Sequence, residues 1–182
     1  MLTRSRLRHA QRRAAERILD SGLVITTAEA EAIEVADLGL GELHLFGLQI
    51  LAVAATETYA AKIIALEPWQ ICPQHRHPRL GDYPGKQETL RVQAGELLLG
   101  MEGNATPGAV MHIPRHRAHT FTARHVLWLS AGQSHTFPPD TWHWFQAGRD
   151  GAVVWSFSSQ AFDVQDEFSD PDIRRVTEVV DG

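Results

Sequence analysis

Residues 72–78 of the chain read Cys72-Pro73-Gln74-His75-Arg76-His77-Pro78. On an extended segment, side chains two residues apart project from the same face, so His75 and His77 can reach one metal ion together. Short extended segments lie on both sides of this stretch, rich in β-branched and aromatic residues and separated by Gly, Pro, Asp and Asn. They cover residues 43–55, 59–67, 70–76, 86–93, 95–101, 109–113, 125–129, 133–138 and 151–158. Nine short strands predict an all-β sandwich or small barrel rather than a sheet of alternating strands and helices.

The first twenty residues predict a helix. They carry six arginines, and an apolar stripe on one face favours a helix that packs on the protein surface. The stripe consists of Leu7, Ala10, Ala14 and Ile18. An Arg-rich amphipathic start is also typical of transit peptides and of anchors to acidic surfaces, but no cleavage pattern follows it.

A second helix is predicted from a capping signal. Thr26 and Glu29 have the spacing of a capping box, which predicts a helix from there to about Asp37. The extended segments begin soon afterwards. We therefore divide the chain into an N-terminal helical extension, residues 1–41, and a β-barrel with a C-terminal tail, residues 42–182.

The composition excludes several classes of protein. With 182 residues and 20.3 kDa the chain fits one domain, and 43% hydrophobic with 21% charged residues is ordinary for a globular fold. A formal net charge of −5 argues against nucleic-acid binding. No apolar run approaches the ~18 residues that a membrane span requires, so no membrane partner is expected. The single cysteine, Cys72, excludes an internal disulfide and fits a reducing compartment, so we expect a cytoplasmic protein.

Two further segments supply ligands for a metal ion. Glu88 is predicted to lie opposite the two histidines if residues 70–77 and 86–93 pair as a hairpin. His143 follows a Pro-Pro-Asp turn and begins another strand. The predicted metal ligands are therefore His75, His77, Glu88 and His143. Three neutral imidazoles and one carboxylate suit Mn²⁺, Fe²⁺, Co²⁺, Ni²⁺ or Zn²⁺.

These segments resemble the two sequence motifs of the cupin superfamily. The chain departs from them by placing ten residues between His77 and Glu88 instead of three or four, and by having Asp140 for a glycine and Ala147 for an asparagine. A narrower resemblance covers about residues 20–173. The strings CPxHRHP, GKQET and PPxTxHWFQAGxxGAVV, with an acidic tail that contains Asp163 and Asp166, are similar to the short bacterial members of the D-lyxose isomerase family.

The resemblance implies a fold and an activity. The fold is a single cupin (jelly-roll-like) barrel with short N-terminal helices, assembled as a homodimer. The activity is a Mn²⁺-dependent isomerisation between aldose and ketose, D-lyxose to D-xylulose or D-mannose to D-fructose, with a monosaccharide as the binding partner. The proton would move between C1 and C2 of the open-chain sugar while the metal acts as Lewis acid at O1 and O2.

Candidate catalytic residues lie beside the ligands. Lys86 shares the face of Glu88, and we expect burial beside a cation to lower its pKa and make it a base or proton shuttle. The family usually has a catalytic glutamate where this chain has Ser156. Asp166 is the candidate substitute for that carboxylate, with Glu167 as an alternative.

Two other functions stay open on the sequence. A cupin dioxygenase uses the same ligand types with Fe²⁺ and oxygen. A sugar-binding cupin that has lost catalysis is compatible with Ser156. Lys86 and the long loop of residues 78–85 favour the isomerase.

Overall fold

The computed structural model describes residues 1–181, and strands dominate it, which confirms the predicted all-β fold. Two helices, α1 (Arg4–Asp20) and α2 (Thr27–Glu31), precede most of the strands. The strands are β1 (Leu2–Thr3), β2 (Glu34–Ala36), β3 (Leu48–Ala55), β4 (Tyr59–Leu66), β5 (Ile71–Arg76), β6 (Glu88–Met101), β7 (His125–Ser130), β8 (Ser134–Phe137), β9 (His143–Ser159), β10 (Glu167–Phe168) and β11 (Val179–Val180). Short 3₁₀ turns lie at Arg115–Thr120 and Asp163–Gln165.

One curled sheet contains nine of these strands. Its hydrogen-bonded path runs β10-β5-β9-β4-β3-β2, and β6 joins it by pairing with β7, β8 and β9. The curl is possible because β6 and β9 are long and each pairs with several neighbours along its length. The concave side encloses the main apolar core, and the side chains of the candidate site lie at one end of that core.

A glycine contact marks the bend in β6. Gly95 has φ +77°, a left-handed conformation that favours glycine. A Cβ atom at Gly95 would lie 2.2 Å from the carbonyl oxygen of Gly151 on β9. The register between β6 and β9 shifts on both sides of this point. The two predicted strands 86–93 and 95–101 are therefore one bulged strand, and predicted strand 151–158 is the second half of β9.

Two further sequence expectations are wrong. Residues 109–113 do not form a strand, because the backbone N–H and C=O of His112 bond to the side-chain amide of Gln146 instead of to a neighbouring strand. The second helix ends at Glu31 and not near Asp37. The residues that follow form β2, which pairs with β3 inside the region predicted as the helical extension.

Helix α1 packs against the outer face of the sheet. Ala14 and Ile18, from the predicted stripe, are buried there against Ile63 on β4 and Leu51 on β3. Arg13 and Arg17 both contact the carboxylate of Glu67, at 2.8 and 3.2 Å. The arginines of α1 thus help to dock the helix. No helix within residues 1–181 is both long and apolar enough to cross a membrane.

The C-terminal tail lies on the barrel. Glu167 and Phe168 of β10 pair with Arg76 and His75 of β5, and β11 pairs in parallel with β1. The pairing with β5 brings the acidic residues of the tail beside the histidine segment.

Candidate metal centre

Four buried side chains converge inside the barrel. They are the predicted ligands His75, His77, Glu88 and His143. One possible ligand atom from each lies within 4.8 Å of the corresponding atoms of the other three. The structure therefore brings together the whole predicted set from three different strands or their ends.

The strand pairing that achieves this differs from the predicted hairpin. His75 on β5 pairs directly with His143 on β9, so the two rings lie side by side with centroids 4.3 Å apart. Glu88 begins β6, which pairs with β8 and β9 and not with β5. The carboxylate of Glu88 therefore reaches the histidines from the far side of the curled sheet.

A bulge in β5 sets the direction of His75. The register with β9 shifts between Cys72 and His75, around Pro73, whose nitrogen has no hydrogen to donate to a neighbouring strand. As a result Cys72 and His75 lie on the same side, with Sγ 3.7 Å from Nδ1, although they are three residues apart. A regular strand would have pointed them in opposite directions.

Each histidine ring is held by its Nδ1 atom. His75 Nδ1 lies 2.9 Å from the carbonyl oxygen of Pro73, and His143 Nδ1 lies 2.8 Å from that of Thr141. His77 Nδ1 lies 2.8 Å from Oδ1 of Asp166. A hydrogen bond at one ring nitrogen fixes the orientation of a histidine that uses the other nitrogen as a ligand. This arrangement leaves the three Nε2 atoms for a shared centre.

The chemistry of the four side chains fits a divalent cation. His143 Nε2 is buried and has no hydrogen-bond partner among residues 1–181, an arrangement that is costly unless something binds there. Burial lowers the pKa of His75 and of His143, so both rings are neutral, as metal ligands must be. Burial opposes ionisation of Glu88, but Lys86 and the histidines outweigh it and hold the pKa of Glu88 well below its usual value.

His77 differs from the other two rings. Burial and Lys86 act to lower the pKa of His77, but its hydrogen bonds to Asp166 and Glu88 outweigh them and raise it. His77 Nε2 lies 3.1 Å from Oε2 of Glu88. A cation between these two atoms would replace the proton that they share, because a metal ion and a proton compete for the same lone pair.

Lys86 is buried beside the four ligands. Its Nζ lies 3.7 Å from Oε1 of Glu88 and 3.2 Å from Oδ1 of Asp163. The protein side chains alone do not produce the fall in its pKa that we expect beside a bound metal, and that fall stays a prediction. Burial lowers the pKa of Lys86, but the carboxylates of Glu88, Asp166 and Asp163 raise it further, so the net shift is upward.

Ser156 and Asp166 both contact a ligand. Ser156 is buried on β9, and its Oγ donates a 2.5 Å hydrogen bond to Oε1 of Glu88. Asp166 is half-buried and bonds to His77, as described above. Glu167, the alternative acid, is exposed and bonds to Arg76, with Oε2 2.6 Å from Nη2. Of the two tail carboxylates considered from the sequence, only Asp166 contacts a ligand of the cluster.

Three charged residues of the site were missed in the sequence analysis. Lys62, Asp163 and Arg175 line the same cavity of about 40 Å³ as His75 and Lys86. Lys62 occupies an inward position in the otherwise apolar strand β4, which is a pattern that the sequence does contain. Burial acts to raise the pKa of Asp163, but the ammonium groups of Lys86 and Lys62 outweigh it and lower that pKa to about 2.

Comparison with known proteins gives a consistent result. The sequence model of the D-lyxose isomerase family matches residues 10–182. The chain is 45% identical to a D-lyxose ketol-isomerase of Thermofilum sp. (strain ex4484_79), over 99% of this chain and 100% of that protein. It is 42% identical to a D-lyxose/D-mannose isomerase of Thermosediminibacter oceani, over 100% of both chains.

A solved structure shares the fold. The crystal structure of Acinetobacter sp. DL28 L-ribose isomerase in complex with L-ribose superposes with a TM-score of 0.82 at 14% identity, over 98% of both chains. At that identity the likeness establishes the fold alone.

Proposed function

Because this chain belongs to the D-lyxose isomerase family, we propose that it is a metal-dependent aldose–ketose isomerase that converts D-lyxose to D-xylulose, with D-mannose to D-fructose as a second reaction. The relative of 45% identity is named for D-lyxose, and the relative of 42% identity is named for both D-lyxose and D-mannose. The observation that carries the proposal is the buried cluster around His143, whose Nε2 lacks a partner among residues 1–181.

We propose that His75, His77, Glu88 and His143 hold a divalent cation, and that manganese is the native one. When bound, this cation supplies Lewis-acid chemistry, which lowers the cost of the negative charge that develops on the sugar oxygens. The donor set suits several first-row metals, so the preference for manganese rests on the family resemblance.

Lys86 is the proposed proton donor. Moving a proton between C1 and C2 requires a group that protonates a sugar oxygen as the carbonyl changes place. The carboxylates of Glu88, Asp163 and Asp166 hold the pKa of Lys86 above its ordinary value, although burial opposes this, so Nζ carries a proton to give. A cation bound beside Lys86 would lower that pKa, so its role as the base or proton shuttle that moves the carbon-bound proton stays a prediction.

Asp166 is proposed to act at the histidine ligand. Its Oδ1 lies 2.8 Å from Nδ1 of His77, the geometry by which a carboxylate fixes the tautomer and orientation of a ligating ring. Its role as the acid that replaces the glutamate usual at Ser156 stays a prediction. Asp166→Asn separates the two: weaker metal binding at unchanged kcat of the metal-saturated enzyme indicates an orienting residue. Lost turnover at saturating metal indicates a catalytic one.

One assay tests the proposed activity. The chain is stripped of metal, reloaded with Mn²⁺ and incubated separately with D-lyxose, D-mannose, D-xylulose and D-fructose. We expect aldose–ketose conversion of at least one pair, absent from the stripped chain and from His77→Gln. Consumption of oxygen would indicate the dioxygenase instead, and tight sugar binding without conversion would indicate a binding module. Parallel loading with Fe²⁺, Co²⁺, Ni²⁺ and Zn²⁺ tests the choice of metal.

We also propose that the chain forms a homodimer and works in the cytoplasm. The dimer is an implication of the family resemblance, and light scattering of the purified chain measures it directly. The compartment is supported by Cys72, the single cysteine, which is buried and free.

A further inference from the structure

The chain contains only two lysines, Lys62 and Lys86, against fifteen arginines. Both lysines are buried inside the barrel, at 9% and 6% exposure. Lysine is ordinarily a surface residue, so its restriction to two interior positions is unusual. The two positions lie on different strands or their ends, with Lys62 on β4 and Lys86 two residues before β6.

One carboxylate joins the two ammonium groups. Asp163 Oδ1 lies 3.2 Å from Nζ of Lys86, and Asp163 Oδ2 bonds to Nζ of Lys62. Each lysine therefore has its own oxygen of the same side chain. Arg175 lies further away, with Nη2 3.9 Å from Oδ2, and its other nitrogen contacts Glu34 at 2.5 Å.

The second carboxylate near Lys86 belongs to a proposed ligand. Nζ of Lys86 is 3.7 Å from Oε1 of Glu88, beyond hydrogen-bonding distance, while that oxygen already accepts the 2.5 Å bond from Ser156. An ammonium released from Asp163 would move toward Glu88, because a buried charge seeks the nearest opposite charge. Asp163 thus keeps Lys86 away from the ligand and within the cavity.

The sheet and the tail fix this geometry. Lys62 pairs with Ser156 across β4 and β9, so Lys62, Ser156 and Glu88 follow one another along the inner surface. Asp163 enters from the 3₁₀ turn between β9 and β10. The hydroxyl of Tyr83 donates a 2.5 Å hydrogen bond to the carbonyl oxygen of Gln160 and anchors the start of that turn.

We infer that Asp163 is a positioning residue for the reaction: it aims the ammonium of Lys86 at the sugar, and Lys62 is the counter-ion that holds the other oxygen of Asp163 in place. The inference rests on the proposed function for the role of Lys86. A compact ammonium on a flexible stem suits both positions, since it can keep one hydrogen bond to Asp163 and still offer donors to other oxygens.

The small number of lysines allows a direct test. The chain grown with ¹³C,¹⁵N-lysine gives two lysine side-chain signals by NMR, and Lys62→Arg identifies which is Lys86. We expect Asp163→Asn to shift both signals, in the metal-free and in the Zn²⁺-loaded chain. Its kcat with D-lyxose should fall about 10- to 100-fold while KM stays within about threefold, because the lost contact acts in the transition state more than in binding.

Glu57→Gln is the control. It removes an exposed carboxylate from the turn before β4, the strand that carries Lys62, so both signals and kcat should stay as in the wild type. If Asp163→Asn does not fold, Asp163→Glu retains the charge on a longer side chain and should still shift the Lys86 signal and lower kcat.

Two results with Asp163 variants, and one with a Lys62 variant, would overturn the inference. One is an Asp163 variant that shifts the Lys62 signal alone, and the other is an unchanged kcat. The third result concerns Lys62→Met. If this variant raises KM and leaves the Lys86 signal in place, Lys62 binds sugar and does not hold Asp163. A chain that isomerises no sugar would refute the proposed function, whereas the NMR signals would still report whether Asp163 sets the position of Lys86.

Discussion

At the scale of single residues, Lys86 gives the sharpest prediction. Lys86→Met should lower kcat by about 100-fold or more, the range expected when a proton donor is lost, and should leave bound metal near wild-type levels. Metal analysis and steady-state assays on the same preparation measure both. Arg91→Met is the control, because Arg91 is an exposed cation on the same strand β6 and should change neither quantity.

Ser156 makes a second residue-scale prediction. Ser156→Ala removes the 2.5 Å hydrogen bond to Glu88, and we expect metal affinity to fall about tenfold, as for other groups that orient a ligand. Calorimetric titration of the metal-free chain measures it. Ser158 lies two residues further along β9, and Ser158→Ala should keep wild-type affinity. If Ser156→Ala binds the metal with the same affinity as the wild type, Ser156 does not contribute to metal binding.

The sequence predicted the four clustered side chains better than their surroundings. Spacing within one strand identified His75 and His77, and turn residues located His143. The direction of the Lys86 pKa shift could not be predicted, because two of the carboxylates responsible, Asp163 and Asp166, come from the tail. Local patterning does not reveal where a weakly patterned tail will pack.

At the scale of elements, the bend of β6 can be tested at Gly95. Gly95→Ala places a Cβ atom 2.2 Å from a backbone oxygen at φ +77°, so we expect a loss of stability of about 2–4 kcal/mol or failure to fold. Gly132 has a similar φ of +86° with nothing within 4 Å of the added atom. Gly132→Ala should therefore cost only about 1 kcal/mol. Urea unfolding of both variants distinguishes crowding from backbone strain.

Docking of α1 should depend on pH through Glu67. Hydrogen bonding to Arg13 and the charge of Arg17 lower the pKa of Glu67, although partial burial opposes them. A lowered folded-state pKa adds stability above the unfolded value of ~4.3 and loses it as pH falls through the folded value. Glu67→Gln should cost about 0.5 kcal/mol at pH 7, since the pair is partly exposed. The Tm difference from wild type should shrink as the pH falls below the unfolded value of ~4.3 and vanish once it is below the lowered folded value.

Elements were predicted more reliably than their pairing. Eight of the nine predicted segments overlap strands of the structure, the exception being 109–113, and the capping box of Thr26 and Glu29 is present. The hairpin between 70–77 and 86–93 is wrong, because β6 finds its partners in β7, β8 and β9. Neighbours in sequence often pair, but a curled sheet with two long strands favours distant partners.

At the scale of the whole molecule, the candidate metal centre joins β5, β6 and β9, so metal binding there should stabilise the entire fold. At a free concentration of 100 times Kd, Mn²⁺ adds about 2.7 kcal/mol, which corresponds to a rise in Tm of about 5–10 °C for a chain of this size. Thermal unfolding with Mn²⁺ and with EDTA measures this. His143→Gln should unfold at the same temperature in both, and a matching rise in that variant would place the bound ion elsewhere.

The contact between Lys62 and Asp163 spans 101 residues of sequence. During synthesis on the ribosome, the first of these two partners is therefore translated long before the second emerges. Until then the nascent barrel lacks the carboxylate that neutralises both of its interior amines. Completion of the candidate centre is consequently a late event in the life of each new polypeptide.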